Sequence, residues 1–205
     1  MSRRLVWLRH GQTEWNNERR IQGHLDIELS QTGHDQASAA GAWLAHFGAS
    51  VLWSSDLARA RQTAAYVAKE TGLDVVGDAR LREYDLGERS GWFHDDYREQ
   101  FPDEYVAFEA GDFSVVPGAE TPEVVARRLR AVVGDLLEVL GDDETAIVVS
   151  HGTAIRTAVL ALTGMGLDLN QLRVLNNCGV AVLEQRSDDP TLMRLSAYGL
   201  QVPRL

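Results

Sequence analysis

The chain has 205 residues, of which 44% are hydrophobic and 24% charged, a composition typical of a folded α/β domain rather than a disordered chain. The formal net charge of −10 argues against a nucleic-acid or anionic-membrane partner, because both require a basic face. Lys69 is the only lysine, so the other 19 of the 20 positive residues are arginines, whose planar guanidinium fits phosphate and carboxylate.

Apolar segments that alternate with amphipathic ones organise the first part of the chain. Buried strands are predicted over residues 4–9 and 50–54, and a short strand over residues 74–76. Helices are predicted over residues 32–47, with Thr32 as the cap, and over residues 57–71, ended by Gly72. The intervening residues 10–30 are polar and contain several glycines and asparagines, which is typical of a functional loop.

Residues 88–118 differ from the rest of the chain. They hold seven aromatic residues among many acidic ones, with Pro102 and Pro117 as breaks, and predict an inserted cap of short helices. The alternation then returns, with predicted elements in the order helix 121–140, strand 145–150, helix 154–162, strand 180–184 and strand 192–197. A turn at residues 187–190 joins the last two strands.

This order of elements predicts the fold class. Apolar strands alternating with helices indicate a three-layer α/β/α sandwich with a mostly parallel mixed sheet and an inserted helical cap, in a single domain over residues 1–205. Ligands bind beyond the carboxyl ends of the strands in such sheets. Two predicted strands end in a His-Gly pair, at His10-Gly11 and His151-Gly152. Because glycine lets a ligand approach the backbone, the two pairs predict one shared site.

Several classes of site are excluded by the residues present. Cys178 is the single cysteine, which excludes an intramolecular disulfide and a Cys-cluster zinc site, and we expect a buried, inert thiol. The sequence has no GxxxxGK[ST], GxGxxG, GxSxG or HExxH motif. No apolar run approaches the ~18 residues of a membrane span, and the segment before Arg9 is too short for a signal-peptide core. We therefore expect a cytoplasmic protein.

The motif order resembles one known family. The segments that carry the resemblance are residues 8–16, 22–30, 54–64, 81–87, 117–121 and 148–152. In this order they resemble the histidine phosphatase superfamily, the phosphoglycerate-mutase-like group, and the resemblance spans residues 5–183. The ordered set is far more specific than the Arg9-His10-Gly11 signature alone.

The resemblance implies a covalent phosphoryl-transfer site. His10 would be the phosphohistidine residue, attacking phosphorus through a neutral ring nitrogen. Arg9 and Arg59 would each present two donors to the phosphoryl oxygens. His151 would be protonated and would donate to a phosphoryl oxygen in the transition state. Glu83 would protonate the leaving alkoxide and then accept a proton from water, unless it forms a surface ion pair with a neighbouring arginine.

Further contacts are expected around this core. Asn16 and Gln22 are neutral donors on the loop, Gly23 follows them, and Gly152 offers a backbone N–H. The remaining histidines have no motif support and are expected on the surface, with His24 as a rim contact: His24, His34, His46 and His94. No metal or other cofactor is expected, because two arginines and a histidine supply the positive charge.

The segment 81–87 contains the predicted acid, Glu83. The residues that follow it indicate which molecule accepts the phosphoryl group. Mutases of the family share a basic, proline-rich stretch there, whereas residues 89–97 are acidic and aromatic and give no evident home to a second phosphate. We therefore predict a phosphomonoester hydrolase acting on a small phosphorylated metabolite, whose organic part the aromatic cap buries. The alternatives are a phosphoglycerate mutase and a catalytically silent phospho-ligand binder, although the latter would usually have lost a catalytic residue.

The resemblance also bears on the substrate and on assembly. Residues 1–29 look similar to actinobacterial phosphatases acting on glucosyl-3-phosphoglycerate, and less so to α-ribazole phosphatases. A sugar ring stacked on Trp92 or Tyr84 would suit the former. The family also suggests a homodimer, for which the two C-terminal strands would offer a sheet edge.

Overall fold

The structure is a computed structural model that describes residues 3–202. The six strands are β1 Arg4–Arg9, β2 Val51–Ser54, β3 Val75–Gly77, β4 Thr145–Ser150, β5 Val180–Gln185 and β6 Met193–Leu200. The helices are α1 Glu14–Asn17, α2 Gln31–Leu44, α3 Ala58–Thr71, α4 His94–Gln100, α5 Pro102–Glu109, α6 Pro122–Val139 and α7 Gly152–Thr163.

The strands form one mixed sheet in the order β3-β2-β4-β1-β5-β6. Strands β1 and β2 both pair in parallel with β4, and β3 continues the parallel part beside β2. Strands β5 and β6 add an antiparallel edge next to β1. All of β4 is buried, as expected for an apolar strand covered on both faces. The predicted mostly parallel mixed sheet is confirmed.

Side chains that alternate along β1 fill two cores. Leu5 and Trp7 pack with residues of α6 and α7, and Val6 and Leu8 pack with residues of α2 and α3. This alternation follows from the period of two along a strand. The sheet therefore lies between two helical layers, which confirms the predicted α/β/α sandwich.

The start of α2 and the end of α3 test two predicted helix boundaries. Helix α3 ends at Gly72, whose φ of 74° is a left-handed conformation that favours glycine, as predicted. The predicted cap of α2, Thr32, is wrong by two residues. Ser30 is the cap, because its hydroxyl accepts a hydrogen bond from the N–H of Gly33 at 3.1 Å.

The predicted helical cap lies between β3 and α6. It consists of α4, α5 and short three-residue helical turns. Its aromatic residues pack mainly on one another, with the Tyr97 ring 5.2 Å from both Tyr105 and Phe108. The guanidinium of Arg89 lies 4.1 Å from the centre of the Phe101 ring and is paired with Glu104 at 2.8 Å. The aromatic composition thus stabilises the cap itself.

The C-terminal strands occupy one edge of the sheet. Among the described residues, strand β6 pairs with β5 alone, in agreement with the predicted edge, and the homodimer stays a prediction. Within residues 3–202, no helix combines the length and apolar character needed to cross a bilayer.

The reassigned cap of α2 is testable by equilibrium unfolding in urea. Ser30→Ala removes the hydroxyl that accepts from Gly33 and should lower the free energy of unfolding by about 1 kcal/mol. Thr32→Ala is the matched control, because Thr32 is exposed inside the first turn, and it should stay within about 0.5 kcal/mol of wild type. A larger loss for Thr32→Ala than for Ser30→Ala would contradict the assignment.

Candidate active site

The two predicted His-Gly pairs meet at the carboxyl ends of adjacent parallel strands. Arg9 pairs in register with Ser150, so the residues that follow them in the chain are neighbours. The ring centres of His10 and His151 lie 5.1 Å apart. The predicted convergence of these two histidines is therefore found, although they are far apart in sequence.

Hydrogen bonding defines the reactive nitrogen of His10. Its Nδ1 lies 2.7 Å from the carbonyl oxygen of Gly11, and a carbonyl only accepts, so Nδ1 carries the proton. The lone pair is left on Nε2. Burial, followed by the charges of Arg59 and Arg9, holds the pKa of His10 well below its usual value. His10 is thus a neutral imidazole, the form that a nucleophile requires.

The glycines that follow the two histidines are closely packed against neighbouring segments. A Cβ on Gly11 would collide with the carbonyl oxygen of Gly33 at the start of α2. A Cβ on Gly152 would meet Val174 and approach the guanidinium of Arg9. Glycine is therefore required after each histidine by close packing.

His151 is fully buried behind the cleft and is neutral in this structure. Its Nδ1 accepts a hydrogen bond from Nε of Arg59 at 3.1 Å, which leaves the proton on Nε2, 2.8 Å from the hydroxyl of Ser55. Burial and the nearby charge of Arg59 hold the pKa of His151 well below its usual value. The expected protonated form is therefore not the form seen here.

Arg59 lies in the first turn of α3 and is almost fully buried. Two loop carbonyls fix its guanidinium: Nη2 donates to Gly23 and Nη1 to Leu25, each at 2.8 Å. Burial lowers the pKa of Arg59 to about 10, so the group stays charged at neutral pH. Arg61, two residues further along α3, is by contrast exposed.

Arg9 supplies the second predicted cation. Its Nη1 donates to the carbonyl oxygen of Leu175, and its Nε is buried and has no hydrogen-bond partner within residues 3–202. Burial lowers the pKa of Arg9 from its ordinary value. An unpaired buried donor beside His10 suits an anionic ligand, because an incoming oxygen would remove the cost of leaving it unsatisfied.

Glu83 is held at the amino end of α7 by three backbone N–H groups. Oε2 accepts from Thr153 at 3.0 Å, and Oε1 accepts from Ala154 at 2.8 Å and from Tyr84 at 3.1 Å. The positive end of the helix dipole favours a carboxylate there. The neighbouring arginines do not compete for it, since Arg80 pairs with Asp78 and Asp135, and Arg82 pairs with Asp56. The ion-pair alternative for Glu83 is therefore wrong.

The two predicted amide side chains have groups available to a ligand. The Asn16 Oδ1 accepts from Thr13 and from Nδ2 of Asn177, so the Asn16 Nδ2 is left to donate. The Gln22 Oε1 is buried and has no hydrogen-bond partner among the described residues.

These groups line a cleft of about 410 Å³. The predicted site residues in its wall are Arg9, His10, Asn16, Gln22, Gly23, Arg59 and Glu83, while His151 and Gly152 lie outside the lining. The wall is completed by Arg20, Ile21, Leu86, His94, Phe108, Glu109, Phe113, Thr153, Arg156 and Val174. Within residues 3–202, no group of three or more His, Cys, Asp or Glu residues is arranged to hold a metal ion.

The cleft contains residues that sequence reasoning missed. Arg20 and Arg156 raise the number of arginines in the lining from the two predicted to four. Arg156 follows Thr153 by three residues on α7, a spacing that places both on one helical face and was readable from the sequence. His94 was expected on the surface, but it lines the cleft, with Nδ1 3.2 Å from the hydroxyl of Tyr105.

The aromatic rings of the cleft also differ from the expectation. Tyr84 is fully buried and its hydroxyl lies 2.6 Å from Thr157, so its ring is not open to a sugar. Trp92 packs against cap residues and does not line the cleft. The aromatic side chains that do line it are Phe108 and Phe113, one from α5 and one from the turn after it.

Comparison with known proteins identifies the family. The family model described as "Histidine phosphatase superfamily (branch 1)" matches residues 5–197. The chain belongs to the histidine phosphatase superfamily. The family inferred from the motif order is thereby confirmed.

Similar proteins in this superfamily include mutases and phosphatases. A 2,3-bisphosphoglycerate-dependent phosphoglycerate mutase of Methylorubrum populi is 36% identical over 172 residues, 80% of this chain and 81% of the relative. A probable phosphoglycerate mutase of Salmonella paratyphi C is 31% identical over 189 residues, 86% of this chain and 82% of the relative. A mycobacterial glucosyl-3-phosphoglycerate phosphatase, solved in complex with VO3, has 35% identity and a TM-score of 0.90, covering 96% of this chain and 98% of that one.

The neutral, buried histidines of this superfamily member predict a pH dependence of stability. Unfolding exposes each histidine to solvent and restores a pKa near 6.5, so the unfolded chain takes up protons that the folded chain does not. The free energy of unfolding should therefore fall as the pH drops from about 6.5 to 5, by up to about 1.4 kcal/mol per pH unit for each histidine.

Denaturant titrations between pH 5 and 7 on wild type and His10→Asn test this dependence, with His46→Asn as the matched control on an exposed histidine. The slope should become shallower in His10→Asn and stay unchanged in His46→Asn. Equal slopes in all three proteins would contradict a neutral, buried His10.

Proposed function

We propose that the chain is a phosphomonoester hydrolase that acts through a phosphohistidine intermediate on a small phosphorylated metabolite. The observation that carries the proposal is the state of His10: a neutral ring with its lone pair on Nε2, in a cleft shared with Arg9 and Arg59. A nucleophile beside two fixed cations is the arrangement that transfer of a phosphoryl group requires.

In the first step, the phosphoryl group lies between Arg9 and Arg59, and Nε2 of His10 attacks phosphorus. The N–P bond forms as the bond from phosphorus to the ester oxygen breaks, and the alkoxide leaves with a proton from Glu83. Three backbone N–H groups hold the Glu83 side chain in place for this transfer. A phosphomonoester, whose second pKa is near 6, brings the required proton into the cleft as its monoanion, and Glu83 passes that proton on to the alkoxide.

In the second step, a water molecule attacks the phosphohistidine. The carboxylate of Glu83 accepts the proton of the water, the N–P bond breaks, and phosphate leaves with His10 restored. A bound phosphoryl dianion also raises the pKa of nearby His151 by placing an opposite charge beside it. A proton gained on Nδ1 turns that atom into a donor, so Arg59 must turn its Nε away before His151 can donate to a phosphoryl oxygen, as the sequence analysis expected.

The cap favours water over a second substrate as the acceptor. Four cap residues line the cleft, and none of them is an arginine or lysine: His94, Phe108, Glu109 and Phe113. Burial lowers the pKa of His94, so this histidine does not supply a positive charge either. A second phosphate would therefore find no cation on the cap side. The similarity to a glucosyl-3-phosphoglycerate phosphatase supports hydrolysis and suggests that compound or a sugar phosphate as the substrate. The proposed location is the cytoplasm, where phosphorylated metabolites are made.

A phosphoglycerate mutase is the second candidate. A relative of 36% identity carries that name, and Arg20 and Arg156 add two cations to the cleft beyond those that the motifs predicted. Both activities pass through phosphohistidine, so the identity of the acceptor separates them.

The covalent intermediate is directly testable. When the enzyme is mixed with ³²P-labelled substrate and the reaction is quenched, His10 should carry a base-stable, acid-labile label. His10→Ala should lose the label and at least about 10³-fold in kcat/KM, because the nucleophile is gone. His34→Ala is a matched control, since His34 lies outside the cleft wall. An unlabelled wild type, or retained turnover in His10→Ala, would refute the mechanism.

The product formed from 3-phosphoglycerate distinguishes the two candidates. Inorganic phosphate and glycerate should accumulate, because the cap offers no cation to hold a second phosphate. Phosphorus NMR follows both products in one sample, with 2,3-bisphosphoglycerate added to satisfy a mutase. Conversion to 2-phosphoglycerate as the dominant product would instead favour the mutase.

A further inference from the structure

Arg128 lies on α6, outside the lining of the cleft, and each of its N–H groups has an acceptor. Nε and Nη2 donate to the carboxylate of Glu120 at 3.1 and 2.8 Å. Nη2 also donates to the main-chain carbonyl oxygen of Glu83 at 2.8 Å. Nη1 donates to the carbonyl oxygens of Arg80 and Arg82 at 2.8 and 2.7 Å. Three of these five bonds therefore end on the main chain of the segment that carries Glu83.

The path of segment 80–83 depends on side chains. Its four successive carbonyls each accept a hydrogen bond from a side chain: three from Arg128, and that of Leu81 from the hydroxyl of Ser150 at 2.8 Å. Glu83 itself lies in neither a helix nor a strand. Carbonyls that are withdrawn from water need such donors. Arg128 thus does for this segment what a neighbouring strand does for a strand of the sheet.

Glu120 extends the same support past Glu83. Its Oε2 accepts the N–H of Asp85 at 3.0 Å, and its own N–H donates to the carbonyl oxygen of Asp85 at 2.9 Å. Since Glu120 also binds Arg128 through both carboxylate oxygens, the main chain is held on both sides of Glu83.

His24 connects this support to the cation of the site. Its Nε2 donates to the carbonyl oxygen of Glu83 at 2.8 Å, so that oxygen has a second donor besides Arg128. The carbonyls on either side of His24, those of Gly23 and Leu25, are the ones that hold the guanidinium of Arg59. The main chain of Glu83 is therefore fixed relative to the cation that faces the phosphoryl group.

The carboxyl group of Glu83 is held separately, by the N–H groups of Tyr84, Thr153 and Ala154. Arg128 donates to the carbonyl of this residue and not to its carboxyl group. A proton donor must lie within hydrogen-bond reach of the ester oxygen, and a displacement of about 1 Å costs about 10²-fold in rate. Support of the main chain therefore bears directly on the proton transfer.

We propose that Arg128 is a positioning residue: it holds the main chain of Glu83 so that the carboxyl group reaches the ester oxygen of the substrate. This inference rests on the proposed function, since it concerns the proton donor of the same reaction. Arg128 acts through Glu83, so its loss should affect the step that needs a proton and spare the binding of the phosphoryl group by Arg9 and Arg59.

Two substrates that differ in their need for a proton test the inference. The p-nitrophenolate ion is a weak base and leaves without a proton, whereas the alkoxide of 3-phosphoglycerate is a strong base and needs one. The kcat/KM includes steps only up to formation of the phosphohistidine, so its hydrolysis does not enter the comparison. Arg128→Gln should lower kcat/KM about 10- to 100-fold for 3-phosphoglycerate and less than about 3-fold for p-nitrophenyl phosphate.

Three further variants complete the comparison. Glu83→Gln should show the same contrast between the two substrates, because it removes the proton donor itself. Arg130→Gln is the matched control on α6: Nη2 of Arg130 donates to the carbonyl oxygen of Ala161 at 3.0 Å, away from Glu83, and both rates should stay unchanged. Should Arg128→Gln fail to fold, Arg128→Lys carries the test. It keeps the charge but loses the planar set of five donors, and it should show a smaller loss confined to 3-phosphoglycerate.

The outcomes separate this inference from the proposed function. An equal loss on both substrates, or no loss, in a folded Arg128 variant would overturn the positioning role and leave the hydrolase intact. Equal losses in Glu83→Gln would show that Glu83 is not the proton donor, and the inference would fall with that step. Absence of phosphate release from both substrates in wild type would instead refute the proposed function.

Discussion

The parallel pairing of β1 with β4 is the constraint on which the site depends. Each strand ends one residue before a histidine, and the register of Arg9 with Ser150 sets the two imidazoles side by side. A shift of one residue would turn every side chain of the strand to the other face of the sheet and separate the pair. Both strands are apolar and buried, so the same residues that form the core also fix the register.

The arginines of the site differ in their partners from several arginines outside it. Arg82 and Arg128, for example, are neutralised by carboxylates. In the site, Arg59 is held by the carbonyl oxygens of Gly23 and Leu25, and Arg9 by that of Leu175. Carbonyls fix a guanidinium without cancelling its charge, so the site keeps a positive potential inside an acidic protein. The net charge therefore describes the surface rather than the cleft.

The sequence predicts the features that depend on local patterns and misses those that depend on packing. Strand 145–150 is predicted at its observed bounds because its apolar run is short, rich in β-branched residues and bounded by polar residues and glycine. The motif order likewise identified the family and the residues around His10. Tyr84 was expected to face the substrate but is buried, and His94 was expected on the surface but lines the cleft. The packing of the cap against the sheet decides which side chains face the cleft, and local sequence patterns do not show that packing. The protonation of His151 was beyond reach for a similar reason, since it depends on where Arg59 directs its Nε.

Glu83 is positioned in the cleft by the same strand end that carries His151. Helix α7 begins directly after that histidine, and the N–H groups of Thr153 and Ala154 in its first turn bind the Glu83 side chain. The positive end of the helix thus faces an acidic residue, which offsets part of its field. The guanidinium of Arg59 is held by loop carbonyls and not by Glu83, so it stays open to an anion. Because main-chain groups hold the acid and the cation separately, one cleft can bind a phosphoryl anion and keep a proton-transfer group beside it.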